Sequence, residues 1–165
     1  MAAQAKETGW AGGGCQCGAL RYEVDLSQVQ TLYCCHCREC QKQSSSGFGM
    51  SMVVPSPAFR LLKGEPQGWS RQAESGRQVE GFHCPVCGSR VFHSSSRGQG
   101  FTNLRAGSLD DTSGLRPVGH LWTDSKQDWV ALPADSLCYA RQPDSLDALV
   151  ARYQVQGTGG KNPAG

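Results

Sequence analysis

Seven closely spaced cysteines constrain this chain more than any other feature. They fall as Cys15-x-Cys17 in GGGCQCGAL, Cys35-x-Cys37-x-x-Cys40 in CHCREC, and Cys84-x-x-Cys87 in HCPVCGS. Thiols crowded this closely are paired as disulfides, poised for redox chemistry, or gathered on a metal. The chain has 165 residues and nine cysteines, the remaining two being Cys34 and Cys138. An odd count leaves one thiol over in a pure disulfide framework. A chain of this length buries roughly 70% of its unfolded surface, so it does not depend on disulfides to fold. Metal ligation is therefore the expectation, and it restricts which segments must meet.

CPVCG has the spacing of a zinc knuckle. Two thiolates two residues apart on a tight turn grip one zinc at about 2.3 Å each. Gly88 supplies the left-handed conformation such a turn needs after its second ligand. The competing reading, a thioredoxin-like redox pair, expects a helix after the motif, whereas SRVFHS reads as a strand. One knuckle gives two ligands, and a closed structural site takes four. Cys15 and Cys17 are the natural second pair, because alternate side chains of a strand share a face. Gly12, Gly13, Gly14 and Gly18 around them allow the distortion that brings both sulfurs to one ion. The expected structural zinc is thus held by Cys15, Cys17, Cys84 and Cys87, tying the start of the chain to its middle.

Cys35, Cys37 and Cys40 remain as a group of three. Three protein ligands plus an open position mark a reactive zinc site. Three thiolates outweigh the charge of Zn²⁺, which makes a weak Lewis acid for water and suits the capture and deprotonation of an incoming thiol. One alternative stays open: His36 or Cys34 as a fourth ligand would close the group into a second structural zinc, with strained geometry for adjacent ligands. Cys34 otherwise reads as the buried end of the strand VQTLYC, and Cys138 in SLCYA as another core residue.

The rest of the sequence frames these groups. A net charge of +2 with 18% charged residues and no basic cluster argues against nucleic-acid binding. No run approaches a membrane span, and MAAQAKETGWAGGG has no apolar core of a secretory signal, so a cytoplasmic location is expected. The body reads as short strands separated by Gly, Pro and Ser, including Ala19–Asp25, Gly47–Val54, Ala58–Leu62 and Arg90–Ser94. One helix is signalled over 144–154, with Asp144 or Ser145 as cap and an apolar stripe of Leu146, Leu149, Val150 and Tyr153. The expected class is mainly β, made of short antiparallel strands with a short C-terminal helix. The expected organisation is a flexible N-terminus over 1–12, a zinc-binding domain over 13–130, an extension over 131–156 and a flexible tail over 157–165. His83, His93, Trp122, Trp129 and the turn carboxylates of GSLDD (Gly107 to Asp111) all read as structural.

The order GGCQCGALRYEV, CHCRECQKQSSSGF, FRLLKGEP, FHCPVCGSRVF and LRAGSLDD…RPVGHLWTDSKQDWV resembles the glutathione-dependent formaldehyde-activating family, which includes the centromere protein V domain. The resemblance runs from about Gly13 to Val130 and rests on a highly specific seven-cysteine pattern. It implies a β-tent fold. It implies two zinc ions, one structural on Cys15, Cys17, Cys84 and Cys87, and one catalytic and more labile on Cys35, Cys37 and Cys40. It implies a carbon–sulfur lyase that condenses glutathione with formaldehyde to S-hydroxymethylglutathione, with glutathione (or a related thiol) and an aldehyde as its partners. The residues alone agree with sulfur chemistry and do not single out formaldehyde. Ser44, Ser45, Ser46 and the Gly47–Gly49 backbone follow the ligands and are candidates to hold a substrate, although Ser and Gly are also ordinary loop residues. The other function class is a non-catalytic zinc-stabilised binding module, as relatives within the family suggest, but the basic, extended flanks expected for such a role are missing here. Methionine sulfoxide reduction would need paired knuckles and a separate reactive cysteine, and Cys15-x-Cys17 speaks against it.

Overall fold

In the computed structural model of the protein, residues 9–73 and 76–159 are described. Eleven strands and two helices follow one another as β1 (Trp10–Gly14), β2 (Arg21–Asp25), β3 (Thr31–Cys35), α1 (Arg38–Ser44), β4 (Gly49–Pro55), β5 (Phe59–Lys63), β6 (Gln67–Gln72), β7 (Gln78–His83), β8 (Arg90–Ser95), β9 (Phe101–Arg105), β10 (Gly119–Leu121), β11 (Leu137–Tyr139) and α2 (Asp147–Gly159). The class is mainly β, as expected. The chain divides into two compact units, Met1–Val29 with Val53–Gly114, and Gln30–Met52 with Leu115–Gly165.

In the first unit, β2 pairs antiparallel with both β1 and β5. Trp10, Ala11 and Gly12, read from the sequence as flexible terminus, are paired strand residues here. The glycine run of β1 has a packing reason. A Cβ on Gly13 would sit 2.2 Å from the Tyr22 hydroxyl, so only glycine lets the fully buried Tyr22 ring lie across the strand. The Tyr22 hydroxyl shares a 2.8 Å hydrogen bond with Ser108 Oγ. The GSLDD turn is then bound to β1 by the Asp110 amide donating to Gly12 O at 3.0 Å. Its carboxylates serve the turn, as expected: Asp110 pairs with Arg21, and Asp111 accepts from the Ser113 amide and hydroxyl. An aromatic row of Tyr22, Phe59, Phe92 and Phe82, with centroids 5.2, 4.9 and 4.5 Å apart in turn, runs from the buried Tyr22 to half-buried phenylalanines in this unit. Strands β6 to β9 form an antiparallel meander.

In the second unit, β10 runs parallel to both β3 and β11. It is three residues long and wholly buried. Gly119 admits α2 closely, since a Cβ there would lie 2.2 Å from Leu149 Cδ2. Val118, Leu121 and Leu149 are buried together, with Leu146 and Tyr153 of the expected helix stripe packed against them. Ser145 caps the helix by accepting from the Asp147 amide at 3.0 Å. The helix starts three residues later than 144–154 would require and its backbone continues to Gly159, into the segment read as tail.

Candidate metal centres

Two groups of cysteines gather their sulfurs, one in each unit. In the first unit the Sγ atoms of Cys15, Cys17, Cys84 and Cys87 all lie within 4.8 Å of one another. Two separations are 3.6 Å (Cys15 to Cys17) and 3.8 Å (Cys17 to Cys84). Sulfurs at the corners of a tetrahedron around zinc, each about 2.3 Å from the ion, stand roughly 3.8 Å apart. The four-sulfur donor set and its spacing therefore fit a structural zinc.

Two tight turns bring these sulfurs together. After β1 the Gly18 amide donates to Cys15 O at 3.1 Å, and the Leu20 amide donates to Cys15 Sγ at 3.1 Å. In the knuckle the Gly88 amide donates to Cys84 O at 2.9 Å. Gly18 and Gly88 take φ of 76° and 75°, the left-handed region where a Cβ is strained. The Gln16 amide donates to Ser89 Oγ at 3.1 Å and joins the turns. Cys15 and Cys84 are buried, Cys87 is half-buried and Cys17 exposed.

The thiols compete for negative charge. Hydrogen bonds from the Ser89 hydroxyl and amide, with one from the Cys17 amide, pull the Cys87 thiol down to about 5. The Ala19 backbone favours ionised Cys17, but burial and the neighbouring sulfurs outweigh it and push that thiol up to about 11. Burial opposes ionisation of Cys15, yet the Leu20 amide and the Cys84 and Cys17 thiols bring it below its ordinary value. A divalent cation removes this competition by letting all four ionise together.

In the second unit the sulfurs of Cys35, Cys37 and Cys40 form the other group, again within 4.8 Å of one another. The structure makes this stretch a strand-to-helix junction. Cys35 ends β3 beside Leu121 of β10. Cys37 is the N-cap of α1, its Sγ accepting from the Cys40 amide at 3.4 Å. Like-charge crowding is severe here. The Cys37 and Cys40 side chains, then burial, push the Cys35 thiol far above its ordinary range. Cys37 is pulled down by Cys35, but Cys40 and burial leave it raised overall. These thiols ionise together only against a cation, and three soft sulfurs on one short segment fit zinc with a coordination position left over.

Neither alternative fourth ligand joins this group. Cys34 points to the other face of β3; it is 2% exposed, and burial pushes its thiol up to about 12. His36 is fully buried and shares a 2.9 Å hydrogen bond between its Nε2 and His120 Nδ1. Burial, then His120 and Lys126, bring the His36 imidazole down to about 4, and burial lowers His120 too, so the pair is neutral near pH 7. Cys138, expected in the core, is exposed in β11. Its neighbours Leu137 and Tyr139 take the inward positions of the alternation and pack on the core.

The structure adds Gln41, which the sequence reading passed over. It is 5% exposed, and its Nε2 donates to His36 O at 2.7 Å and Ser125 O at 2.9 Å. Its Oε1 accepts from Arg38 at 2.9 Å and Gln127 at 3.1 Å. One buried amide thus fastens α1 to the backbone between Cys35 and Cys37, and no local pattern distinguishes it from the exposed glutamines around it. The serines past the ligands close the helix. Ser44 Oγ donates to Cys40 O at 2.7 Å, Ser45 is the left-handed C-cap, and the Ser46 amide donates to Gln41 O at 3.3 Å. Gly47 lies beneath the indole of Trp129, which is 71% exposed. No helix among the described residues is long and apolar enough to cross a membrane.

Comparison with known proteins gives the same direction. The sequence profile of the family described as "Glutathione-dependent formaldehyde-activating enzyme" matches residues 11–125. A protein of Halomonas elongata, provisionally named a glutathione-dependent formaldehyde-activating enzyme, is 27% identical over 139 residues, covering 80% of this chain and 88% of that protein. A crystal structure of a Rhodobacter sphaeroides protein aligns with a TM-score of 0.48 at 17% identity, over 64% of this chain and 91% of that one. That likeness is too slight to bear on fold or function.

Proposed function

Since this chain belongs to the glutathione-dependent formaldehyde-activating enzyme family, we propose that it is a carbon–sulfur lyase-type enzyme that joins glutathione, or a related thiol, to formaldehyde or another small aldehyde, and reverses that reaction. The observation that carries this reading is the three-sulfur group of Cys35, Cys37 and Cys40, which neither Cys34 nor His36 completes. Two zinc ions are proposed, one structural on Cys15, Cys17, Cys84 and Cys87 and one catalytic on the three. A cytoplasmic setting belongs to the same proposal, because clustered free thiols suit a reducing compartment.

In the forward direction the S–H proton of the thiol leaves, sulfur forms a bond to the carbonyl carbon, and the carbonyl π pair takes up a proton to give S–CH₂–OH. Zinc, when bound, supplies the positive charge that lowers the pKa of an incoming thiol. The chain's own residues do the rest. Cys35, Cys37 and Cys40 hold three sulfurs at the strand–helix junction and leave one approach open. Gln41 fixes that junction through His36 O and Ser125 O. The neutral His36–His120 pair behind it adds no positive charge to attract the thiolate away from the aldehyde.

The test is the rate of S-hydroxymethylglutathione formation from glutathione and formaldehyde, followed by NMR on zinc-replete protein. The expected result is a rate above the uncatalysed reaction that Cys37→Ser abolishes while the fold persists. A rate equal to background for glutathione and for other small thiols would contradict the proposal and leave a zinc-stabilised binding module.

A further inference from the structure

The β6–β9 meander of the first unit carries two unlike faces. Register places Phe82 opposite Phe92 and Phe92 opposite Leu104 on one face, where Phe82 and Phe92 stack. The other face follows from the same ladder. Trp69 stands opposite Gly81, Gly81 opposite His93, and His93 opposite Asn103. Arg71 and Arg105 lie two residues along from Trp69 and Asn103, hence on the same face. Arg90, beside the register shift near His83, turns its guanidinium over the Trp69 ring at 5.6 Å.

Gly81 makes this arrangement specific. Trp69 lies so flat across it that a Cβ would come within 2.1 Å of the indole, so the indole forms a fixed floor. The Nε atoms of Arg71, Arg90 and Arg105 are all sealed from solvent, as is Nδ1 of His93. Arg105, Arg90 and Arg71 all act on the charge of the His93 ring, so the three guanidiniums lie around it. Each is engaged in further interactions, so the cluster is held in place. Glu80 is the one carboxylate carried by β6 to β9, and it faces away, opposite Ser70 and Ser94.

Two facts about His93 point to a missing ligand. The ring is half-buried, yet its Nδ1 has no hydrogen-bond partner among the described residues, an arrangement folded chains avoid because an unpaired polar atom is costly to bury. Burial, then Arg105, Arg90 and Arg71, hold the imidazole well below its ordinary range. It is therefore neutral among three cations and able to offer an N–H without adding repulsion. Guanidinium forks gathered around a neutral ring suit the planar or tetrahedral oxygens of a carboxylate or phosphate, which such forks bind bidentately.

We propose that this face is a binding site for the oxyanion group of a small molecule, a carboxylate or a phosphate, gripped by Arg71, Arg90 and Arg105 with His93 and Asn103 at its base. None of these residues belongs to either cysteine group, and the site stands whether or not the three-sulfur group is catalytic.

The experiment is calorimetric titration of the zinc-replete full chain, at fixed ionic strength, with inorganic phosphate, with glutathione and with glutathione diethyl ester. At least one of phosphate and glutathione binds saturably, and the Arg71→Gln/Arg105→Gln double variant weakens it by about tenfold or more, as for loss of a sheltered charge pair. Arg97→Gln, which removes an exposed charge from the same unit, changes it less than about twofold. If the double variant does not fold, Arg105→Lys keeps the charge, loses the fork and still weakens binding several-fold. A response of glutathione but not of its diester to these substitutions assigns the site to the carboxylates of a thiol peptide. A response of phosphate alone assigns it to a phosphate-bearing ligand. Failure of both to bind saturably, or equal weakening by Arg97→Gln, overturns the proposal.

Discussion

The two cysteine groups differ in how the chain supplies them. Cys15 and Cys17 come from the turn after β1, and Cys84 and Cys87 from a knuckle 67 residues further on, measured from Cys17 to Cys84. Cys35, Cys37 and Cys40 come from one strand–helix junction. A metal on the first group cross-links distant parts of its unit, so its binding free energy is also folding free energy. A metal on the second group closes no large loop, and its absence removes little structure. Four sulfurs leave no position for a substrate, whereas three do. On the proposed reading, long-range closure with a full donor set makes a staple, and local closure with a deficient set makes a reactive site.

Substitutions sharpen this contrast, and the largest effect belongs to the staple. Cys84→Ser removes a fully buried sulfur of the four-cysteine group. It is expected to cost most of the folding free energy tied to that zinc, on the order of 10 kcal/mol, and to abolish near-ultraviolet circular dichroism from the first unit. Cys37→Ser is expected to reduce activity by about 100-fold or more, with loss of one zinc equivalent and a change in stability of about 1 kcal/mol or less. Equal unfolding by the two substitutions would break the comparison. Gly13→Ala places a methyl against the Tyr22 hydroxyl and Ser108 O. It is expected to cost about 1–3 kcal/mol in thermal or urea unfolding. Gln41→Leu removes donors to His36 O and Ser125 O. Chelator competition is expected to show zinc held about 10–100-fold more weakly at the three-cysteine group, as for other supports of ligand position.

The smallest effect is a pH dependence. His36 falls to about 4 in the fold against an ordinary value near 6.5. The unfolded chain therefore binds a proton in that interval that the native state refuses. Stability is fully present above about pH 6.5 and declines as pH falls towards 4, with the lowered His93 and His120 adding in the same direction. Urea unfolding from pH 7.5 to 5, with zinc followed by a chromogenic chelator, separates this slope from metal loss. A flat profile with zinc retained would contradict the neutral, buried assignment.

The cysteine grouping was legible in the sequence because thiol spacing carries its chemistry without reference to fold. Strands β2, β4, β5 and β8 were legible too, since apolar and β-branched residues announce them. Strand β1 was not. WAGGG has no strand propensity, and it pairs because Tyr22 needs a surface without side chains. Strand β6, QGWSRQ, shows no apolar run, and its one large ring lies over Gly81, which only the register reveals. Helix α1 has seven residues and buries one of them, the polar Gln41, so no hydrophobic stripe marks it. The interleaving of two units along the chain is likewise invisible to local periodicity.

The most direct test is a stepwise chelator titration of the zinc-replete protein, reading zinc release, near-ultraviolet circular dichroism and the rate of S-hydroxymethylglutathione formation on the same samples. The account predicts that the first zinc equivalent leaves with the fold intact and takes the activity with it, and that the second leaves only with unfolding. Release of both equivalents together with collapse of the fold, or activity that survives the first release, would contradict it.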